Sequence, residues 1–180
     1  MTVNPLQYLQ QADLIHSEQA VRQAILTISE QLNRDYVAEV PIVLCVMSGA
    51  VFFTGQLLPK LQFPLGLDYV QVSRYYDGTE GKTLKWVVRP KEDINNRSVL
   101  ILDDILDEGI TLQAIVEQCR LLGASEIKTA VLVEKNLSKS KPIQANYVGL
   151  TVPNRYIFGC GMDVYGWWRN MPAIYALNNA

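Results

Sequence analysis

The chain has 180 residues, of which 49% are hydrophobic and 19% are charged, and its formal net charge is −2. This length suits one domain with its own core, spanning 1–180, and the mild acidity argues against a nucleic-acid partner. The chain does not open with a basic segment followed by an apolar stretch, and no apolar run reaches membrane-spanning length, so we expect neither a secretory signal nor a membrane partner.

The first predicted elements are a helix, a buried strand and a second helix. Apolar residues at helical spacing predict a helix over Ser17–Tyr36, with Ser17 as its N-cap. The continuous apolar run Pro41–Met47 predicts a strand that is buried on both faces. A tight turn at Ser48-Gly49-Ala50 then leads into a predicted helix over Val51–Leu61.

The middle of the chain predicts two strands on either side of a loop. Strands are predicted at Leu67–Val72 and Leu84–Val88. The segment between them, Arg74–Thr83, contains two glycines, two tyrosines and several charges, which is typical of a long exposed loop. We therefore expect the second strand to return from this loop as a hairpin.

An acidic run after the next strand is the most informative part of the chain. The four apolar residues Val99–Leu102 predict a strand buried on both faces, and they run directly into Asp103 and Asp104. These acids therefore lie where open α/β sheets bind ligands. Asp107 follows, and then a helix is predicted from Thr111 to Leu122, whose amino terminus suits a phosphate. A sugar with hydroxyls at one end and a phosphate at the other fits this arrangement.

The last predicted elements are strands. Ile127–Val133 predicts another buried strand, and Tyr147–Val152 and Tyr156–Gly159 predict short strands separated by Pro153. Strands that alternate with helices predict an α/β fold with a mainly parallel sheet flanked by helices.

The acidic run resembles the phosphoribosyl pyrophosphate (PRPP) motif of the type I phosphoribosyltransferases. The resemblance implies that Asp103 and Asp104 hold the ribose 2- and 3-hydroxyls. It also implies a loop that holds the 5-phosphate, formed by Asp107, Glu108, Gly109, Ile110 and Thr111. Glu108 departs from the family, which usually has Thr or Ser there. We expect its side chain to point outward while its backbone N–H binds, because a carboxylate should not face a phosphate.

Val43–Phe53 resembles the pyrophosphate loop of the 6-oxopurine (hypoxanthine-guanine) branch of this family. The resemblance implies that Ser48 and Gly49 face the pyrophosphate, and that a cis peptide joins Met47 to Ser48. Some members have Lys in place of Ser48, so binding here would depend on backbone groups. Taken alone, the segment is equally well explained as a strand, turn and helix with small residues for packing.

Lys135 ends the segment Ala130–Lys135 and resembles the lysine with which this branch bonds the purine 6-oxygen. A cationic donor bonds an oxo group and is repelled by a 6-amino group, which disfavours adenine. Without this context, a lysine after a strand is usually solvated.

Val152–Pro172 is similar to the carboxyl-terminal signature of the same branch. The resemblance implies that Tyr156 stacks on the purine and that Ile157 presents backbone groups to it. It also implies that Asp163 reaches a magnesium ion through water and that Arg169 binds pyrophosphate, for which a guanidinium fork is suited. The alternative is an aromatic edge of the core with an exposed Arg and Asp.

The family fold has a small hood over the sheet. The resemblance implies a core of about 37–140, with a hood built from the amino-terminal segment and from 144–180. Arg74 and Tyr75 stand in the family's mobile hood loop, where members usually have Ser-Tyr, and Tyr75 would close over the site and exclude water.

The implied reaction is magnesium-dependent transfer of the phosphoribosyl group from PRPP to N9 of hypoxanthine or guanine, which gives IMP or GMP and pyrophosphate. Asp107 would accept the purine N7 proton, and Asp103, Asp104 and Asp163 would serve the metal. Alternatives are a xanthine or hypoxanthine-only enzyme, a PRPP-sensing regulator that binds nucleic acid, and, ranked lower, a magnesium-dependent phosphatase. Family members commonly form dimers or tetramers, so we expect a homo-oligomer. Three widely spaced cysteines with no zinc or disulfide pattern indicate a cytoplasmic protein.

Overall fold

The computed structural model describes residues 4–76 and 82–178, apart from the side chains of residues 74–76 and 82–84. The helices are α1 (Pro5–Gln10), α2 (Glu18–Asp35), α3 (Val51–Leu57) and α4 (Ile110–Leu121), and a short 3-10 helix (Leu58–Lys60) follows α3. The strands are β1 (Ala12–His16), β2 (Ile42–Met47), β3 (Gly66–Tyr76), β4 (Lys82–Val88), β5 (Ser98–Leu106), β6 (Glu126–Lys135), β7 (Tyr147–Val152), β8 (Ile157–Phe158) and β9 (Ile174–Leu177). Within these residues, no helix is long and apolar enough to cross a membrane.

The larger sheet has the strand order β4-β3-β2-β5-β6-β7. Its neighbouring strands are parallel, except that β4 pairs antiparallel with β3 as a hairpin. Helices cover both faces, because alternate residues of the apolar central strands pack into different cores. In β5, Leu100 packs into the core on the α2 side and Ile101 into the core on the α4 side. The predicted α/β fold with a mainly parallel sheet is confirmed.

A smaller antiparallel sheet joins the two ends of the chain, in the order β1-β9-β8. A hydrogen bond of 2.8 Å between His16 Nε2 and the Thr151 carbonyl oxygen links it to β7 of the larger sheet. The predicted hood at 144–180 therefore needs one correction, because β7 (Tyr147–Val152) pairs with β6 in the main sheet. The rest of the division into core and hood stays a prediction.

Several element boundaries differ from those predicted. The predicted Arg74–Thr83 loop is wrong at both ends, because β3 continues to Tyr76 and β4 begins at Lys82, while residues 77–81 lie outside the described part of the chain. The predicted helix over Val51–Leu61 is α-helical only to Leu57. Pro59 explains this end, because proline has no N–H to donate to the preceding turn of an α-helix.

Candidate active site

The carboxyl ends of β2, β5 and β6 meet at one edge of the larger sheet, and two adjoining cavities open there. The first, of about 280 Å³, is lined by Asp104, Ile105, Asp107, Lys135, Tyr156, Ile157, Met162 and Asp163. The second, of about 230 Å³, is lined by Val46, Val72, Asp103, Asp104, Ile105, Leu106, Asp107, Gly109, Thr111 and Leu112. Asp104, Ile105 and Asp107 line both cavities, which therefore adjoin, and together they are called the cleft.

Asp103 and Asp104 lie within β5, which continues to Leu106, and do not follow the strand as predicted. Asp103 is buried, and its Oδ1 accepts a hydrogen bond of 3.0 Å from the Asp104 N–H. Asp104 Oδ1 accepts one of 2.9 Å from the Ile105 N–H. Burial raises the pKa of the Asp104 carboxyl, although its hydrogen bonds with the Asp103 side chain and with the Ile105 N–H, and the charge of Arg169, act in the opposite direction. The ionised carboxylate would therefore gain from a cation beside it.

The turn after β2 lies directly against Asp104. The peptide between Met47 and Ser48 is cis, as predicted. A side chain at Gly49 would place its Cβ 2.0 Å from Asp104 Oδ2, so only glycine fits there without a shift. Gly161 approaches the same turn, because a Cβ on it would lie 1.9 Å from the Gly49 carbonyl oxygen.

Arg169 reaches this turn through Gly161. Its Nη1 donates a hydrogen bond of 2.7 Å to the Gly161 carbonyl oxygen, and its Nη2 lies 2.5 Å from Asp163 Oδ1. Asp163 Oδ2 accepts a further bond of 2.7 Å from the Gly166 N–H. The structure thus brings Arg169 close to the Gly49 turn. Both were predicted to bind pyrophosphate.

Lys135 and Asp107 form an ion pair in the first cavity. Lys135 Nζ donates a hydrogen bond of 2.7 Å to Asp107 Oδ2, and the lysine side chain is only 11% exposed. Lys135 is the last residue of β6, and Asp107 directly follows β5, so two neighbouring parallel strands place the pair. The pair offers a hydrogen-bond donor next to an acceptor.

Tyr156 and Ile157 line the same cavity, as the sequence prediction requires. The Tyr156 ring is partly exposed and stacks on Tyr165, with centroids 5.6 Å apart and an interplanar angle of 22°. A planar ligand could therefore meet an aromatic ring that is already supported on one side.

The second cavity ends at the amino terminus of α4. Gly109 caps this helix with a φ of 85°, a conformation that favours glycine. Gly109 and Thr111 line the cavity, where the helix terminus suits an anion. Glu108 is not among the lining residues, and its Oε1 lies 3.0 Å from Lys139 Nζ. Its side chain is therefore turned towards a lysine, in keeping with the expected outward orientation.

The predicted metal residues do not form a site made by protein alone. Among the residues whose side chains the structure describes, no group of three or more His, Cys, Asp and Glu could hold a metal ion. Asp163 is paired with Arg169, whereas the buried Asp103 and the partly buried Asp104 offer carboxylate oxygens, which are hard donors that suit magnesium. Mg²⁺ is usually held by one or two carboxylates together with substrate phosphates, and this site fits that pattern.

Other site residues were missed by the sequence prediction or cannot be tested. Met162 and Tyr165 were missed, because a lone apolar or aromatic residue carries no local signal, whereas the glycines around Cys160 could have indicated a close backbone approach. The backbone of Arg74 and Tyr75 lies in β3, but their side chains are outside the described part of the structure, so their hood role stays a prediction.

Comparisons with known proteins agree with this geometry. Residues 11–164 match the phosphoribosyl transferase domain family. A hypoxanthine-guanine-xanthine phosphoribosyltransferase from Tritrichomonas foetus is 30% identical over 168 residues, which are 93% of this chain and 92% of the relative. A hypoxanthine-guanine phosphoribosyltransferase from Streptococcus thermophilus is 32% identical and covers 91% of this chain and 92% of its own. The crystal structure of a Staphylococcus aureus hypoxanthine phosphoribosyltransferase aligns with a TM-score of 0.88 at 25% identity, covering 99% of this chain and 97% of that one.

Proposed function

The chain belongs to the phosphoribosyltransferase family, and from this membership we propose that it transfers the phosphoribosyl group of PRPP to N9 of hypoxanthine or guanine. The products would be IMP or GMP and pyrophosphate, and the role would be purine salvage. Relatives that cover more than nine-tenths of the chain carry these two bases in their names.

The Lys135–Asp107 pair is the observation that carries the choice of base. A 6-oxopurine presents an acceptor, O6, next to N7, which carries a proton in the tautomer that leaves the N9 lone pair free. Lys135 can donate to O6 while Asp107 accepts from N7–H, so the base replaces the ion pair with two matched hydrogen bonds. Adenine offers an amino group at position 6, which would leave the lysine without an acceptor.

Asp107 also suits the proton transfer. When N9 attacks the anomeric carbon and the bond to pyrophosphate breaks, N7 becomes more acidic and loses its proton to the carboxylate. Asp107 lines both cavities, which supports a position for it between the base and the sugar. Tyr156 holds the base by stacking.

The other end of the cleft binds the phosphates. The amino terminus of α4 at Gly109–Thr111 takes the 5-phosphate, and the Gly49 turn with Arg169 takes the leaving pyrophosphate. Asp103 and Asp104 hold the ribose hydroxyls and stabilise the positive charge that develops on the sugar. A magnesium ion held by these carboxylates and by PRPP oxygens would neutralise charge on the leaving group.

An ultraviolet assay of nucleotide formation tests the proposal. The protein is mixed with PRPP and Mg²⁺ and with hypoxanthine, guanine, xanthine or adenine in turn. We expect turnover of hypoxanthine and guanine, with adenine inert. Xanthine belongs in the assay because one relative is named for it. Omitting Mg²⁺ and adding a chelator tests the metal, and activity should then be lost.

Two other results would change the proposal. Turnover of xanthine alone would keep the enzyme class and change the base. No turnover, with measurable PRPP binding, would favour a PRPP-sensing regulator and would call for RNA- and DNA-binding assays.

We also propose that the protein is a cytoplasmic homo-oligomer, a dimer or tetramer, as members of the family commonly are. Light scattering coupled to gel filtration would give the mass in solution. A mass of 20.3 kDa, that of one chain, would contradict the proposal.

A further inference from the structure

A lysine with a largely buried side chain lies in the connection between β6 and β7. The Lys141 side chain is only 9% exposed, and its Nζ has three oxygen partners. It donates to the Leu106 carbonyl oxygen at 3.0 Å, to the Lys135 carbonyl oxygen at 2.7 Å and to Glu134 Oε1 at 3.0 Å. An ammonium has three protons, so each of them has an acceptor.

The two carbonyls connect Lys141 to the residues that recognise the base. Leu106 is the last residue of β5 and directly precedes Asp107, and Lys135 is itself half of the ion pair. Lys141 therefore ties the end of β5 to the end of β6 on either side of the Lys135–Asp107 contact. A lysine is seldom buried, because desolvation of its charge is costly, and here two neutral carbonyls and one carboxylate offset that cost.

The rest of this connection also lies against the phosphate loop. Lys139 pairs with Glu108 at 3.0 Å. A Cβ on Gly109 would lie 3.2 Å from Pro142 Cδ and 3.3 Å from Ile143 Cγ2, so the connection packs closely on the start of α4. These contacts limit how far the phosphate loop can shift relative to the β6–β7 connection.

We propose that Lys141 is a positioning residue that fixes the distance between Asp107 and Lys135 and thereby sets recognition of the 6-oxopurine edge. It touches neither base nor sugar, and it acts through the backbone of Leu106 and Lys135. This inference rests on the proposed function, which assigns the base to the Lys135–Asp107 pair.

Lys141→Met tests the inference, because methionine keeps the unbranched stem and removes all three donors. With two carbonyls and one carboxylate losing charge-assisted hydrogen bonds, we expect the KM for hypoxanthine to rise by about tenfold. We expect hydrogen exchange of the amides at residues 107–111 to become faster. Lys141→Arg keeps the charge and several donors and should recover most of the loss.

Lys128→Met is the matched control. Lys128 lies at the opposite end of β6, pairs with Glu126 at 3.4 Å, and has a side chain that is 22% exposed. This variant should leave both the KM and the loop exchange at the wild-type values. A merely structural role of Lys141 would lower the melting temperature and the active fraction, with the KM unchanged.

The activity assay and the hydrogen-exchange measurement together distinguish a failure of this inference from a failure of the proposed function. An inactive wild-type protein would reject the proposed function, and the exchange measurement would still decide whether Lys141 holds the loop. An active wild-type protein with unchanged KM in Lys141→Met, or unchanged exchange at residues 107–111, would overturn the inference.

Discussion

Asp107 accepts a hydrogen bond from Lys135, and the variant Asp107→Asn tests whether the carboxylate charge is needed in addition to the side chain's shape. Asp107→Asn keeps an oxygen acceptor of the same size but cannot take up the N7 proton. We expect kcat to fall by about 10²- to 10⁴-fold, with the KM for PRPP almost unchanged, because we propose that backbone groups bind the phosphate. Steady-state kinetics with each substrate varied would measure this. An equal loss of turnover and of PRPP affinity would contradict the role of Asp107 as general base.

Lys135 is expected to act on the base alone. Lys135→Ala removes the donor to O6 and leaves Asp107 unpaired in the cavity. We expect the KM for hypoxanthine to rise by about 10- to 100-fold and that for PRPP to change much less. Lys128→Ala, at the other end of β6, is the control and should behave as wild type. Unchanged purine affinity in Lys135→Ala would show that the 6-oxo contact is wrongly assigned.

The raised pKa of Asp104 predicts that the stability of the protein depends on pH. Burial raises its pKa in the folded protein, so its stabilising contribution is complete below the unfolded pKa and is lost as the pH rises through the folded pKa. Asp104→Asn cannot ionise, and its Oδ1 can still accept from the Ile105 N–H. Without ligands, we expect the variant to melt at a higher temperature than wild type at about pH 7. The difference should shrink as the pH falls towards about 4, near the ordinary Asp pKa.

Thermal unfolding measured across this pH range would check the sign. If the difference in melting temperature between the two proteins did not change with pH, burial of the Asp104 charge would not be its cause. A difference that grows in acid would contradict the raised pKa of Asp104.

At the scale of elements, the segment Gly159–Gly166 passes close to the backbone of the Gly49 turn. Gly161 has a φ of 102°, and a Cβ on it would lie 1.9 Å from the Gly49 carbonyl oxygen. Gly161→Ala must therefore push the turn aside, and we expect pyrophosphate inhibition to weaken by about tenfold or more. Inhibition constants and melting temperatures would measure this.

Gly166→Ala is the control for that variant. Gly166 has a similar φ of 89°, but nothing lies within 4 Å of its Cβ position, so only backbone strain is added. We expect a modest loss of stability and wild-type inhibition. Equal effects of the two variants on inhibition would mean that the contact with Gly49 is unimportant.

The same elements show what local sequence can predict. The interiors of β2, β5 and β6 were predicted from the apolar runs that they contain, which are buried on both faces. The smaller sheet was not fully predicted: β1 has a mixture of half-buried and exposed residues, and β8 is two residues long. Contacts such as that of Gly161 with Gly49 are tertiary, so no local pattern contains them. The resemblance to the family indicated only that both segments serve one site.

At the scale of the whole molecule, Arg155 joins the two ends of the chain beside Tyr156. Its Nη2 donates to Asp13 Oδ2 at 2.7 Å, to the Leu177 carbonyl oxygen at 2.8 Å and to Asn178 Oδ1 at 3.2 Å. Arg155→Met removes these bonds. We expect faster hydrogen exchange in β1 and β9, and a rise of about three- to tenfold in the KM for the purine, with the KM for PRPP unchanged.

Arg22→Met is the control for this variant. Arg22 lies on α2, is largely exposed and pairs only with Glu18 among the ion pairs of the described residues, so its loss should be nearly neutral. A wild-type exchange rate in β1 and β9 of Arg155→Met would show that the smaller sheet does not depend on this arginine.

The contact of Gly49 with Asp104 and Gly161 also constrains how this protein can evolve. Any side chain at Gly49 would occupy the space of a carboxylate, and any side chain at Gly161 would collide with the Gly49 carbonyl oxygen. A single substitution at either glycine therefore causes a steric clash, and a compensating change elsewhere must first make room for the new side chain. In lineages that keep the transferase activity, we expect the two glycines to be inherited together, and a lineage that has lost one should also differ at the other or at Asp104.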